Sequence, residues 1–165
     1  MLRAISLLRA SRWREADAVA RVTLPFSERY RRRIRLTDDD GRDFLLDLAE
    51  TARIEDGDGL VLESGDIIVV RAAAEDVLDI LADDAAEMAR IAWHLGNRHT
   101  PVQVLGSGAL RIAYDHVLQH MTESLGARAQ RRQAPFAPEG GAYLESTHSH
   151  AHVHRHGHES HDHHH

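Results

Sequence analysis

Apolar and polar residues alternate with period two through most of the first part of the chain, the signature of strands with one buried face. The alternation predicts strands over residues 5–8, 19–24, 30–37, 43–48 and 67–71, with a short one at Leu60-Val61-Leu62. Clusters rich in Asp and Gly separate them, at Asp38-Asp39-Asp40-Gly41, Asp56-Gly57-Asp58-Gly59 and Ser64-Gly65-Asp66, and such clusters are turn formers. Strands spaced this regularly predict a small all-β domain over residues 1–73, built as a sandwich or barrel-like pair of sheets. Ala72-Ala73-Ala74 marks its end.

Beyond that point the period changes. A strand at 77–82 is followed by helical spacing over 83–95, where Ala85, Met88, Ala89, Ala92 and Leu95 form the expected buried stripe. Gly96 is the expected stop, since glycine reaches the left-handed conformation that helix ends use, and Pro101 bars continuation. Strands follow at 102–105 and 109–114, then a helix at 116–125 with Asp115 as its N-cap and Val117, Leu118, Met121 and Leu125 as its stripe. Gly126 stops it, and 128–133 is a last strand. The fold class is therefore α+β, with an order βαββαβ over residues 74–144 that is expected to be ferredoxin-like. Residues 145–165 form a polar tract with little to bury, expected to be disordered.

Composition narrows the chemistry. With neither cysteine nor lysine among 165 residues, thiolate sites, Walker A phosphate binding and Schiff-base catalysis are excluded. A net charge of −6 argues against nucleic acid as a partner. No run is long enough to span a membrane, and a cytoplasmic location is expected. The run Arg29 to Arg35 reads as a strand with four arginines on one solvated face.

Histidine is the outlier, with 14 residues. His148, His150, His152, His154, His156 and His158 alternate with other residues, a pattern that lets imidazoles converge on a metal ion. Imidazole suits nickel, copper and zinc alike, so the histidines do not name the metal, and raw affinity favours copper. His99 stands beyond the helix break, where it is expected to be partly exposed in the turn before a strand. His94, five positions earlier, is directed elsewhere, about 140° away on a regular helix. His116 and His120 lie four apart on one face of the second helix. His94, His99, Asp115 and His116 offer acid and base types, but no nucleophile elbow or HExxH accompanies them, and no enzyme is predicted.

The segments His94-Leu95-Gly96-Asn97-Arg98-His99-Thr100-Pro101-Val102-Gln103, Asp115-His116-Val117-Leu118, Pro135-Phe136-Ala137-Pro138-Glu139 and Gly141-Ala142-Tyr143, followed by a histidine-rich tail, resemble the urease accessory protein UreE family of nickel metallochaperones. The resemblance runs the length of the chain. It implies a β N-terminal domain, a ferredoxin-like metal-binding domain, a homodimer, and delivery of Ni(II) to apo-urease through a partner GTPase. It further implies that His99 is the central ligand, shared across the dimer, with His116 as an additional ligand. Tyr114 stands where some members carry another histidine. The other reading of the same histidines is a general zinc, copper or nickel storage protein, with the tail as its store.

Overall fold

A computed structural model describes residues 1–140 of the chain. Ten strands and two α-helices follow one another as β1 (Leu2–Leu8), β2 (Ala18–Leu24), β3 (Tyr30–Thr37), β4 (Asp43–Arg53), β5 (Gly59–Leu62), β6 (Ile67–Ala72), β7 (Ala74–Leu81), α1 (Ala85–Asn97), β8 (Gln103–Val104), β9 (Leu110–Ala113), α2 (His116–Ser124) and β10 (Arg128–Pro135). The strands form two sheets, so the mixed α+β character expected from the sequence holds. Among the described residues no helix is long and apolar enough to cross a membrane.

The first sheet differs from the expected pair. It is a single six-stranded sheet in the order β2-β6-β5-β1-β4-β3, with β1–β4 and β2–β6 parallel. Its two ends are tied together by Asp39, in the turn between β3 and β4. The Asp39 carboxylate accepts from the Thr23 backbone N–H at 2.9 Å and from the Thr23 hydroxyl at 2.8 Å, and its own N–H donates to the Arg21 carbonyl at 2.8 Å. One curled sheet therefore encloses a core that two flat sheets would need to share. Phe44, Leu46 and Leu48 alternate inward along β4 and meet Leu60, Leu62, Ile68 and Val70.

The second sheet has the order β10-β7-β9-β8, every neighbouring pair antiparallel. One face presents Leu78, Ile80, Leu110 and Ile112 to Ile91 and Leu95 of α1, with Leu118, Met121 and Leu125 of α2 alongside. Two expected helix stripes need correction. On α1 the buried row is Ile91 and Leu95 with Met88 half-buried beside them, whereas Ala85, Ala89 and Ala92 are exposed. The larger side chains remove more apolar surface from water and so decide which face turns inward. On α2, Val117 is exposed while Thr122 is fully buried, its hydroxyl donating to the Gln119 carbonyl at 3.0 Å.

The other face of this sheet carries a buried ion pair. Asp79 and Arg111 sit directly opposite on β7 and β9, joined by Nε–Oδ1 and Nη2–Oδ2 hydrogen bonds of 2.6 and 2.9 Å. Arg111 also donates to the Pro135 carbonyl at 2.9 Å, so one guanidinium links three strands.

Arg29 overturns the expected solvated arginine face. It precedes β3 and is buried, with 2% of its surface exposed, while Arg31, Arg33 and Arg35 do face solvent. Its guanidinium donates to the carbonyls of Ile54 and Phe136 and lies 5.8 Å from the Phe26 ring centroid. Phe26 meets Phe136 edge-on at 5.8 Å, and the Phe26 N–H donates to the Glu75 carboxylate at 2.9 Å. Burial pushes the Arg29 pKa down, with Glu75 opposing the shift. These contacts join the segment after β10 to the first sheet.

Removing one partner of a buried ion pair strands the other. Arg111→Met leaves Asp79 with only Arg132, at 3.5 Å, and is expected to cost about 3–5 kcal/mol in urea unfolding. Asp79→Leu in the same chain should recover most of that loss. A single-variant cost under about 1 kcal/mol would show that the pair does not hold the three strands together.

Candidate metal centre

The geometry at the end of α1 follows from Leu95. This residue is fully buried, which brings the last turn of the helix against the second sheet. Its carbonyl accepts the Thr100 N–H at 3.1 Å, and the Gly96 carbonyl accepts the His99 N–H at 3.0 Å. These two bonds make a Schellman termination in which Arg98 is the C-cap and His99 the residue after it. That position requires left-handed backbone, and His99 adopts it with φ of 57°, the one non-glycine residue with positive φ among those described.

The expected stop at Gly96 is thereby corrected: the helix runs through Gly96 to Asn97. Helix α2 ends by the same device, with Ala127 N–H to Thr122 C=O and Gly126 N–H to Glu123 C=O, both at 3.0 Å. There the left-handed residue is Gly126, φ 96°. One helix thus uses the residue suited to the position, and the other uses a histidine. A side chain in left-handed backbone costs about 1–2 kcal/mol, and such outliers gather at functional sites.

His99 is exposed. The backbone around it is held on both sides, by the helix end before it and by a clasp after it. Beyond β10, the Glu139 N–H donates to the Val102 carbonyl at 2.7 Å, and the Glu139 carboxylate accepts from the Val104 N–H at 3.1 Å. The Gln103 side chain accepts the Ala137 N–H at 3.0 Å. The chain therefore leaves residue 139 from a point fastened to the strand that follows the His99 turn. No property of His99 or Pro101 announced this clasp.

His94 is half-buried and meets Trp93 edge-on, ring centroids 5.0 Å apart. His116 is exposed at the first position of α2, whose start Asp115 caps by accepting from the Val117 and Leu118 N–H groups at 2.8 and 3.1 Å. Tyr114 is occupied structurally: the Arg131 guanidinium lies 3.7 Å from its ring centroid, held by two hydrogen bonds to Asp76 of 2.9 and 2.7 Å. His148, His150, His152, His154, His156 and His158 lie outside the described residues. Among the described residues no three His, Asp or Glu side chains converge to hold an ion. Large apolar side chains stand exposed on the elements that flank these histidines: Trp93 at 64%, Val104 at 56% and Val117 at 53%.

The arrangement is that of a two-sheet α+β protein presenting an isolated, backbone-fixed imidazole at its surface. Comparison with known proteins gives it a family. Residues 2–73 match the model for the UreE urease accessory protein, N-terminal domain, and residues 75–165 match that for its C-terminal domain. A urease accessory protein UreE from Bradyrhizobium sp. (strain ORS 278) is 49% identical over 149 residues, covering 90% of this chain and 70% of that protein. The one from Paracoccus denitrificans (strain Pd 1222) is 49% identical over 124 residues, 75% of this chain and 77% of its own. The chain belongs to the UreE urease accessory protein family.

The strain at His99 is directly measurable. His99→Gly removes the side chain from left-handed backbone and should stabilise the fold by about 1 kcal/mol, raising Tm by roughly 2–4 °C for a chain of this size. A lowered Tm would mean that the imbalance between His99 and Gly126 stores nothing.

Proposed function

We propose that this protein is a nickel-binding metallochaperone that delivers Ni(II) for assembly of the urease active site, acting in the cytoplasm as a homodimer and catalysing no reaction itself. Membership of a urease accessory family supports the maturation role. The observation that carries the metal reading is His99, a rigidly presented imidazole with no companion ligand among the described residues. One imidazole holds a divalent ion weakly, so its companions come from His116, from the tail, or from His99 of a second copy.

A two-fold axis near His99 supplies a second imidazole with no further sequence requirement, and two-fold dimers are the commonest oligomers. Exposed Trp93, Val104 and Val117 are suited to being covered by that second copy. The site made this way stays open, which suits an ion that must be handed on to a partner GTPase and apo-urease. His148, His150, His152, His154, His156 and His158 then serve as a collecting arm. Its base is fastened at Glu139, and the nine residues from there to His148 reach at most about 30 Å.

On this reading residues 1–73 are a β domain, 74–144 a metal-binding domain and 145–165 the arm. The strand order β10-β7-β9-β8, antiparallel throughout, supports a ferredoxin-like assignment for the second of these.

In cells that make urease, deleting the gene should lower urease activity at limiting nickel, with excess nickel restoring it. In protein truncated after Tyr143, nickel titration should find about one tight ion per two chains; His99→Ala should abolish it, and His116→Ala should cost less. Unchanged nickel content of urease in the deletion strain would overturn the chaperone reading in favour of general metal storage.

A further inference from the structure

We infer that the outer edge of β10 is a docking strip for an extended, acidic segment of a partner protein, which joins the second sheet as a fifth strand. β10 stands at one end of the order β10-β7-β9-β8 and pairs with β7 in unbroken register, from Arg128↔Leu81 to Pro135↔Ala74. In an antiparallel strand alternate residues turn their N–H and C=O groups away from the neighbour. Among the described residues no backbone group outside β7 bonds to Arg128–Ala134, so that outward set is open. The other sheet edges are closed. β8 is covered by the clasp of Ala137 and Glu139, and on β2 the Arg21 carbonyl and the Thr23 N–H are taken up by Asp39. The register of β3 shifts between Arg31 and Arg33. Covering segments and irregular register are ordinary ways of barring a foreign strand, and β10 has neither.

Charge selects the occupant. β10 carries Arg128, Arg131 and Arg132 and no carboxylate, and all three side chains are more than half exposed. Their partners are Asp76 and Asp79 of β7 and Asp83 just after it, which draw the guanidiniums back over the faces of the sheet and away from the open edge. A second β10 laid against the first sets arginine beside arginine, and like charges placed opposite each other are destabilising. A segment with a carboxylate at every second position instead meets Arg128 and Arg132, which share one face of the strand. Main-chain bonds then supply affinity and the alternating side chains supply selection, as when extended peptides add to an open sheet edge. β8, the strand after the His99 turn, is the opposite edge of this sheet, about 14 Å away at three strand spacings. The strip is therefore separate from the proposed metal centre and does not depend on it.

Amide hydrogen exchange, followed residue by residue by NMR in the full-length protein, tests this with a capped synthetic peptide of alternating glutamate and valine as the probe. Near nine-tenths saturation, exchange should slow roughly tenfold at alternate amides of β10, the outward set, because only the peptide-free fraction exchanges. A peptide of alternating lysine and valine should leave those amides unchanged. Arg128→Glu, a change at an exposed position, should weaken binding of the glutamate peptide by about two- to fivefold. No protection, protection that does not alternate along β10, equal protection by the lysine peptide, or unchanged affinity in Arg128→Glu would each overturn the strip. Outward amides already slow in the free protein would also overturn it, because the edge is then taken by the chain itself or by a second copy.

Discussion

The bond from the Thr100 N–H to the Leu95 carbonyl is the constraint on which the placement of His99 depends. Leu95 must be buried, because it closes the core between α1 and the second sheet. Ending the helix there in a Schellman motif obliges the residue at position 99 to take left-handed backbone. Burial of one side chain therefore fixes the direction of another four residues on, and directs it outward. The cost of placing histidine at that position is small against the stability of a folded domain, but nothing in packing repays it. The proposed role of His99 as a metal ligand would, since such a ligand must be rigid and exposed.

The same end of the molecule is reinforced from far along the chain. Residues Ala137 and Glu139 clasp Gln103, Val102 and Val104, while Phe136 is gripped by Arg29 and Phe26 from the first sheet. The segment from which the histidine-rich tail departs thus helps couple the two sheets, alongside the Phe26 N–H bond to Glu75 of β7. Because Arg29 spends its guanidinium on backbone carbonyls, its burial is offset by hydrogen bonds more than by a paired charge.

Much of this was legible locally. The Asp-Gly turns delimit strands because glycine at positive φ, as at Gly41, Gly57 and Gly65, can be supplied by few other residues. Asp115 as a cap and Gly126 as a stop are likewise settled within a turn of helix. What escaped was whatever depends on distant partners. Arg29 reads as one more arginine in an alternating run until Phe136, 107 positions away, closes over it. The alanines of α1 satisfy helical spacing as well as Ile91 does, and only the competition for a finite core ranks them. Gly96, the obvious left-handed residue, marks an end of α1 two residues short of Asn97. Pro101, three positions after Arg98, was the better marker, since proline tends to follow a helix end closely. Of the candidate site, the identity of the histidines was readable, and their spatial relation was not.

The central claim is that His99 of two chains meets at one ion. Crystals of the chain ending at Tyr143, grown with nickel and measured on both sides of the nickel absorption edge, test it directly. The account predicts an anomalous peak on a molecular two-fold axis, about 2.0–2.1 Å from an imidazole nitrogen of His99 in each chain. Nickel bound elsewhere, with both His99 rings free of metal, would contradict it.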